Sequence, residues 1–229
     1  MADRLPSVLI VEDHALLAES LALALRLRGF EDVEINDPAD LSPESVIGRI
    51  EKLRPHVVLL DVFLGESGTS IALIPAIVEL GPQVLVLTAS QDRFILARCL
   101  EAGAAGVFDK AQPFDMLLTS ITDAALGRVA MRPAIRDELL AFLDEHRRDN
   151  QELQGLFGRL TPREQSVLAK IIDGSTADDI AAAQFISVST VRTHIRSILE
   201  KLGVNSQLAA VALARRAGWP SAEGPGPTA

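Results

Sequence analysis

Five side chains of this sequence have the types needed for phosphoryl transfer: Glu12, Asp13, Asp61, Thr88 and Lys110. Asp61 closes the apolar run Val57-Val58-Leu59-Leu60. A strand buried on both faces has no cheap place for a charge, so a carboxylate at its tip asks for a reason. Glu12 and Asp13 end another such run, SVLIV; Thr88 ends VLVL; Lys110 follows GVF. Three carboxylates at close range cannot all stay ionised without a cation. An all-oxygen set from Asp and Glu suits Mg²⁺, which needs few protein contacts. A metal, a hydroxyl and an ammonium around one aspartate are the parts required to place a phosphoryl group on it, with Lys110 and Thr88 facing its oxygens. Singly, each residue has an ordinary reading, as a loop aspartate, a helix-start acidic pair or a surface lysine. Their conjunction at matching strand ends distinguishes them.

The elements that must position them alternate. Residues 7–11, 32–35, 57–60, 84–87 and 106–108 read as strands rich in Val, Ile and Leu. Amphipathic segments near 14–28, 43–53, 69–80, 91–102 and 114–126 read as helices. This alternation implies right-handed βαβ crossovers and an α/β doubly wound five-stranded parallel sheet. In such sheets ligands bind outside the carboxyl ends of the strands, where all five residues fall.

The pattern changes at Pro133. From there to about Leu160 dense charge surrounds Leu139, Leu140, Phe142, Leu143, Leu153, Leu156 and Phe157, which reads as one helix with a partly apolar stripe, a spacer or a partner surface. The remainder is helical with clear punctuation. Thr161-Pro162-Arg163-Glu164 is a capping box with proline at the first helical position. Thr176 and Asp179 cap a second helix, and Ser187 a third, whose apolar face reads as Val191, Ile195, Leu199 and Leu202 before Gly203. A fourth runs over about 206–217. The short helix 177–184, a turn and the polar-faced helix 188–202 make a helix-turn-helix, whose second helix enters a DNA major groove. Arg192 and Arg196 stand one turn apart on its polar face.

Charge separates the two parts. Residues 1–158 carry 14 Lys and Arg against 25 Asp and Glu, a net of −11; residues 159–219 carry 8 against 5, a net of +3. A basic section in a chain of net −9 suits a second part that meets phosphates. The single cysteine, Cys99, excludes an intramolecular disulfide framework and reads as small apolar packing. No apolar stretch nears the roughly 20 residues of a membrane span, and no signal-like segment opens the sequence, so a cytoplasmic protein is expected. His14 reads as shaping its loop, Trp219 as covering the apolar end of the last helix, and the Pro/Gly-rich 219–229 as a disordered tail.

The stretches VLIVEDHALLAESL, VVLLDVFLGESG, VLVLTAS and EAGAAGVFDKAQPFDMLLTSI resemble the receiver domain of bacterial two-component response regulators over about residues 5–127. The resemblance implies a flavodoxin-like strand order and Asp61 as acceptor of a phosphoryl group from a sensor histidine kinase. It also implies Mg²⁺ on Glu12, Asp13, Asp61 and the backbone carbonyl of Phe63, with Thr88 and Lys110 as switch residues. The loop after Asp61 lacks the family's usual proline and is one residue shorter before its glycine, which leaves Gly65 and Gly68 to shape it. The family's aromatic switch position, three residues before the lysine, holds Val107, and Phe108 faces the other side of its strand. The expectation is that Thr88 still moves but is coupled outward through another residue. Phe63, two residues after Asp61, is expected to hinder the hydrolytic water and prolong the phosphoaspartate.

Residues 160–217 closely resemble the four-helix LuxR-type DNA-binding domain: LTPRE, the IA of the scaffold helix, TVRTHI and KLGV fall in family order. Together the two parts are similar to the NarL/FixJ class of response regulators. That likeness implies that Thr190, Arg192, Thr193 and Arg196 face the groove and that Lys201 contacts phosphate. It further implies an active homodimer joined through the last helix, with double-stranded DNA and RNA polymerase as partners and no membrane. The expected organisation is a receiver over 1–127, a helical linker over 128–158, the helix-turn-helix domain over 159–218 and the tail. Two rivals are a receiver that regulates without phosphorylation, motivated by Val107, and a Mg²⁺-dependent phosphohydrolase with Glu66 as acid/base.

Overall fold

A computed structural model describes residues 5–65 and 68–219. They form two compact units, divided between Asp144 and Glu145. In the first unit β1 (Val8–Val11), β2 (Val33–Ile35), β3 (Val57–Asp61), β4 (Gln83–Thr88) and β5 (Gly106–Asp109) alternate with α1 (Ala15–Leu27), α2 (Pro43–Leu53), α3 (Ile74–Glu79), α4 (Arg93–Glu101) and α5 (Phe114–Ala125). The strands are all parallel, in the order β2-β1-β3-β4-β5, as the doubly wound reading requires. The register sets the site. Val11 pairs with Leu60, Asp61 with Leu87, and Thr88 with Asp109, so Glu12 and Lys110 lie one residue past the same edge.

Strand alternation makes two cores. Leu9, Val11, Val58, Leu60, Val84, Val86 and Val107 face one layer of helices. Val8, Ile10, Val57, Leu59, Leu85, Leu87 and Phe108 face α1 and α5 on the other. Val107 and Phe108 therefore point to opposite sides, as the period of two dictates. The segment expected as one helix over 69–80 is instead a 3₁₀ turn, Ser70–Leu73, followed by the short α3. The Ser70 hydroxyl donates to the Asp61 carbonyl at 2.5 Å, tying this turn to the strand tip. Cys99 is fully buried, and burial pushes its thiol up to about 11.

The helix α6 (Pro133–Phe157) occupies most of the segment expected as a helical linker over 128–158. Its residues Leu139 and Leu143 belong to the core of the first unit, and Phe157 belongs to that of the second. In the second unit α7 (Pro162–Ile172), α8 (Ala177–Gln184), α9 (Val188–Leu202) and α10 (Gln207–Arg216) form the helix-turn-helix domain. The expected capping box is present at Thr161/Glu164, and the expected cap at Thr176/Asp179 is a second one. Ser187 accepts from Thr190 N–H to start α9, and Gly203 at φ 67° ends it. The buried stripe of α9 is Val191, Ile195, Ile198 and Leu202, with Leu199 only partly covered. Trp219, read from sequence as covering the apolar end of the last helix and as the first residue of the tail, packs on the second core and stacks on Phe157 with ring centroids 4.7 Å apart; residues 220–229 lie outside the described residues. No helix among the described residues is long and apolar enough to cross a membrane.

Candidate phosphoacceptor site and nucleic-acid interface

The five residues singled out in the sequence come from four strand ends, and three of them, Glu12, Asp61 and Lys110, are in direct contact. Lys110 Nζ lies 2.7 Å from Glu12 Oε2 and 2.8 Å from Asp61 Oδ2. Glu12 and Asp61 are 1% and 4% exposed. Asp13 is held from the far side: its Oδ2 accepts from Gly65 N–H at 3.0 Å, where the loop turns at φ 55°. Asp61 Oδ1 accepts from Phe63 N–H at 3.3 Å, so the Phe63 peptide borders the carboxylate. Thr88, 1% exposed, stands on the neighbouring strand, its Oγ1 accepting from Ser90 N–H at 3.0 Å.

Charge in this crevice does not balance. Burial, and the nearby charge of Asp61, push the Glu12 carboxyl up despite its lysine partner. Lys110 goes up too: against the cost of burial, Asp61 and Glu12 hold it protonated. One ammonium thus serves two buried carboxylates, with Asp13 beside them. Ligand atoms of Glu12, Asp13, His14 and Asp61 all lie within 4.8 Å of one another. An oxygen-rich cluster in which one ammonium faces two buried carboxylates, with Asp13 beside them, fits a hard divalent ion such as Mg²⁺.

His14 is the member that sequence reasoning set aside. Its Nδ1 is 2.7 Å from Asp13 Oδ1 and 3.2 Å from Glu12 Oε1. Against the burial that would raise it, this imidazole holds the Asp13 carboxyl below its ordinary range. Adjacency to an acidic pair was the only signal available in the sequence. Glu66, the acid/base residue of the hydrolase reading, lies outside the described residues.

In the second unit Thr190, Arg192, Thr193 and Arg196 are all exposed on α9, opposite its buried stripe. Among the described residues no ion pair engages either arginine. Lys201 is different: its Nζ sits 2.6 Å from Glu164 Oε2, and Ser197 Oγ donates to Glu164 Oε1 at 2.6 Å. Glu164 also accepts from Thr161 N–H at 2.7 Å. Although burial opposes ionisation, these donors bring the Glu164 carboxyl down to about 2. The lysine expected on phosphate therefore first of all fixes α9 to the start of α7. The turn before α9 carries Phe185 at φ 55°, a left-handed conformation unusual for a bulky side chain, and 95% exposed.

Residues 8–122 match the family described as response regulator receiver domain, and residues 159–214 match the luxR family of bacterial regulatory proteins. A probable transcriptional regulatory protein NarL of Mycobacterium tuberculosis is 32% identical over 91% of this chain and 93% of its own length. A nitrate/nitrite response regulator protein homolog of Haemophilus influenzae is 31% identical over 93% and 97%. Among solved structures, the response regulator RcsB of Salmonella typhimurium shares the fold at 23% identity, with a TM-score of 0.50 over 93% of this chain and 98% of that one. An RcsB–DNA complex superposes at the same TM-score and identity, over 92% and 98%. With both family models matched in order along one chain, this protein belongs to the two-component response regulators that couple a receiver domain to a LuxR-type helix-turn-helix domain and regulate transcription.

Proposed function

We propose that Asp61 accepts a phosphoryl group from the phosphohistidine of a sensor histidine kinase, and that this controls dimerisation and sequence-specific DNA binding. The observation that carries the reading is the charge imbalance: two buried carboxylates, with Asp13 beside them, share one ammonium. In the transfer an Asp61 carboxylate oxygen attacks phosphorus, the P–N bond breaks, and the leaving imidazole keeps the electron pair and takes a proton. Glu12, Asp13, Asp61 and the Phe63 carbonyl would hold Mg²⁺, which when bound neutralises charge on the phosphoryl oxygens. Lys110 exchanges its Asp61 contact for a phosphoryl oxygen, and the Thr88 hydroxyl donates to another. Thr190, Arg192, Thr193 and Arg196 then read or touch the major groove as a dimer joined through α10 spans two half-sites. Lys201 has three donors and uses one on Glu164, so a phosphate contact remains open to it.

Val107 supports a second reading, a receiver that works without phosphorylation. The retention of Glu12, Asp13, Asp61, Thr88 and Lys110 around one crevice weighs against it. Intact mass after incubation with acetyl phosphate and Mg²⁺ separates the two. One added phosphoryl group in the wild type and none in Asp61→Asn supports the phosphoacceptor. No addition with either acetyl phosphate or a phosphorylated kinase favours the second reading.

A further inference from the structure

The amino-terminal half of α6 is part of the receiver. Leu139 and Leu143 are buried in the same core as Val107, with Met131, Ile135 and Leu140 packed against it. A cleft of about 440 Å³ lies among Thr88, Val107, Met131, Ile135 and Leu139. Valine at position 107 leaves this space open where an aromatic ring would fill it.

Two polar ties hold the helix there. Arg93, the first residue of α4, reaches Glu138 Oε1 with Nη2 at 2.8 Å, and its guanidinium stands 4.7 Å over the Phe142 ring. Glu138 and Phe142 are one turn apart on α6, so one arginine grips two successive turns. Arg136 donates to the Ala104 carbonyl at 3.0 Å as a second tie.

Arg93 is connected to Thr88 by a short series of hydrogen bonds. Thr88 Oγ1 accepts from Ser90 N–H at 3.0 Å, and Ser90 Oγ accepts from Asp92 N–H at 3.2 Å. Asp92 Oδ1 accepts from Phe94 N–H at 2.8 Å, capping α4. A Thr88 side chain that rotates about χ1 to bring its hydroxyl onto a phosphoryl group on Asp61 carries Oγ1 away from Ser90 N–H and breaks that bond. The turn it closed then opens, and the cap that places Arg93 loses its support.

We propose that Arg93 is a clasp holding the first turns of α6 on the receiver, and that phosphorylation of Asp61 opens it through Thr88, Ser90 and Asp92. The trigger rests on the phosphoacceptor reading; the clasp does not. In this protein α6 takes the part of the missing aromatic residue as the element that carries the change outward.

Hydrogen exchange of residues 133–144, read by mass spectrometry on the full chain, tests both halves. Arg93→Ala is expected to speed exchange there roughly three- to thirtyfold, the size for losing an exposed ion pair and one cation–π contact. The swap Arg93→Glu with Glu138→Arg is expected to recover part of the protection by restoring the ion pair. Unchanged exchange in Arg93→Ala overturns the clasp. Acetyl phosphate with Mg²⁺, its uptake followed by intact mass on the same sample, is expected to produce a similar rise in the wild type and little further rise in Arg93→Ala. Uptake without a rise overturns the trigger. Absence of uptake from either acetyl phosphate or a phosphorylated kinase refutes the phosphoacceptor reading and the trigger with it, while Arg93→Ala still decides the clasp.

Discussion

Glu164 joins the start of α7 to α9, the helix that carries Arg192 and Arg196, and its replacement by glutamine is a direct measure of that joint. The amide oxygen can stay on Thr161 N–H and Lys201 while its NH2 donates to Ser197 Oγ, so the main perturbation is removal of the charge facing Lys201. A carboxyl held at about 2 instead of 4.5 contributes about 3 kcal/mol at neutral pH, at about 1.4 kcal/mol per pH unit. The Lys201 side chain is 31% exposed, and solvent screening trims this to about 2 kcal/mol. Trp219 is the only tryptophan of the chain and stacks on Phe157 within the second unit, so its fluorescence follows the unfolding of that unit. With a urea dependence of about 1 kcal/mol per molar, the Glu164→Gln midpoint is expected to fall by about 2 M. The pH sign follows from a pKa depressed by folding. The contribution is complete above about pH 5 and fades as pH falls towards 2, so wild type and variant converge in acid. A midpoint within about 0.3 M of wild type at pH 7, or a gap that does not narrow in acid, would refute the reasoning.

Other perturbations probe other links. Phe185→Gly relieves a left-handed backbone and exposes no new apolar surface, so the Trp219 transition is expected to rise by about 0.5–1 kcal/mol; a fall would contradict it. Arg192→Ala and Arg196→Ala are each expected to weaken DNA binding by about 1–3 kcal/mol without moving that transition, and an arginine on phosphate lowers the salt slope by about one. Phe63 is 42% exposed beside Asp61, and Phe63→Asn is expected to shorten the phosphoaspartate lifetime followed by intact mass. An unchanged half-life would remove the shielding role.

The parallel sheet was legible because its strands are apolar on both faces, and their tips then located Glu12, Asp61, Thr88 and Lys110 together. The helix-turn-helix was legible through its caps, since Thr161, Thr176 and Ser187 each stand where a first turn needs an acceptor. Local pattern failed where packing decides. Periodicity over 133–157 is the same whichever body covers the stripe, so the division of α6 between two cores left no trace in sequence. On α9 the stripe runs through Ile198, seven residues after Val191, and choosing Leu199 moved it by one position. The Glu164–Lys201 pair spans 37 residues, and no local signal reports a contact of that separation. His14 was read from the sequence as shaping its loop, and its contacts with Asp13 and Glu12 became visible only once the side chains were placed.

The most direct test of phosphorylation-controlled DNA binding is fluorescence anisotropy on a labelled duplex selected by the protein from a random-sequence pool. Affinity is measured before and after confirmed phosphorylation, in wild type and Asp61→Asn. The expected result is a shift in affinity or in binding cooperativity for the wild type alone. Identical isotherms for the phosphorylated and unphosphorylated wild type would contradict control of DNA binding by Asp61.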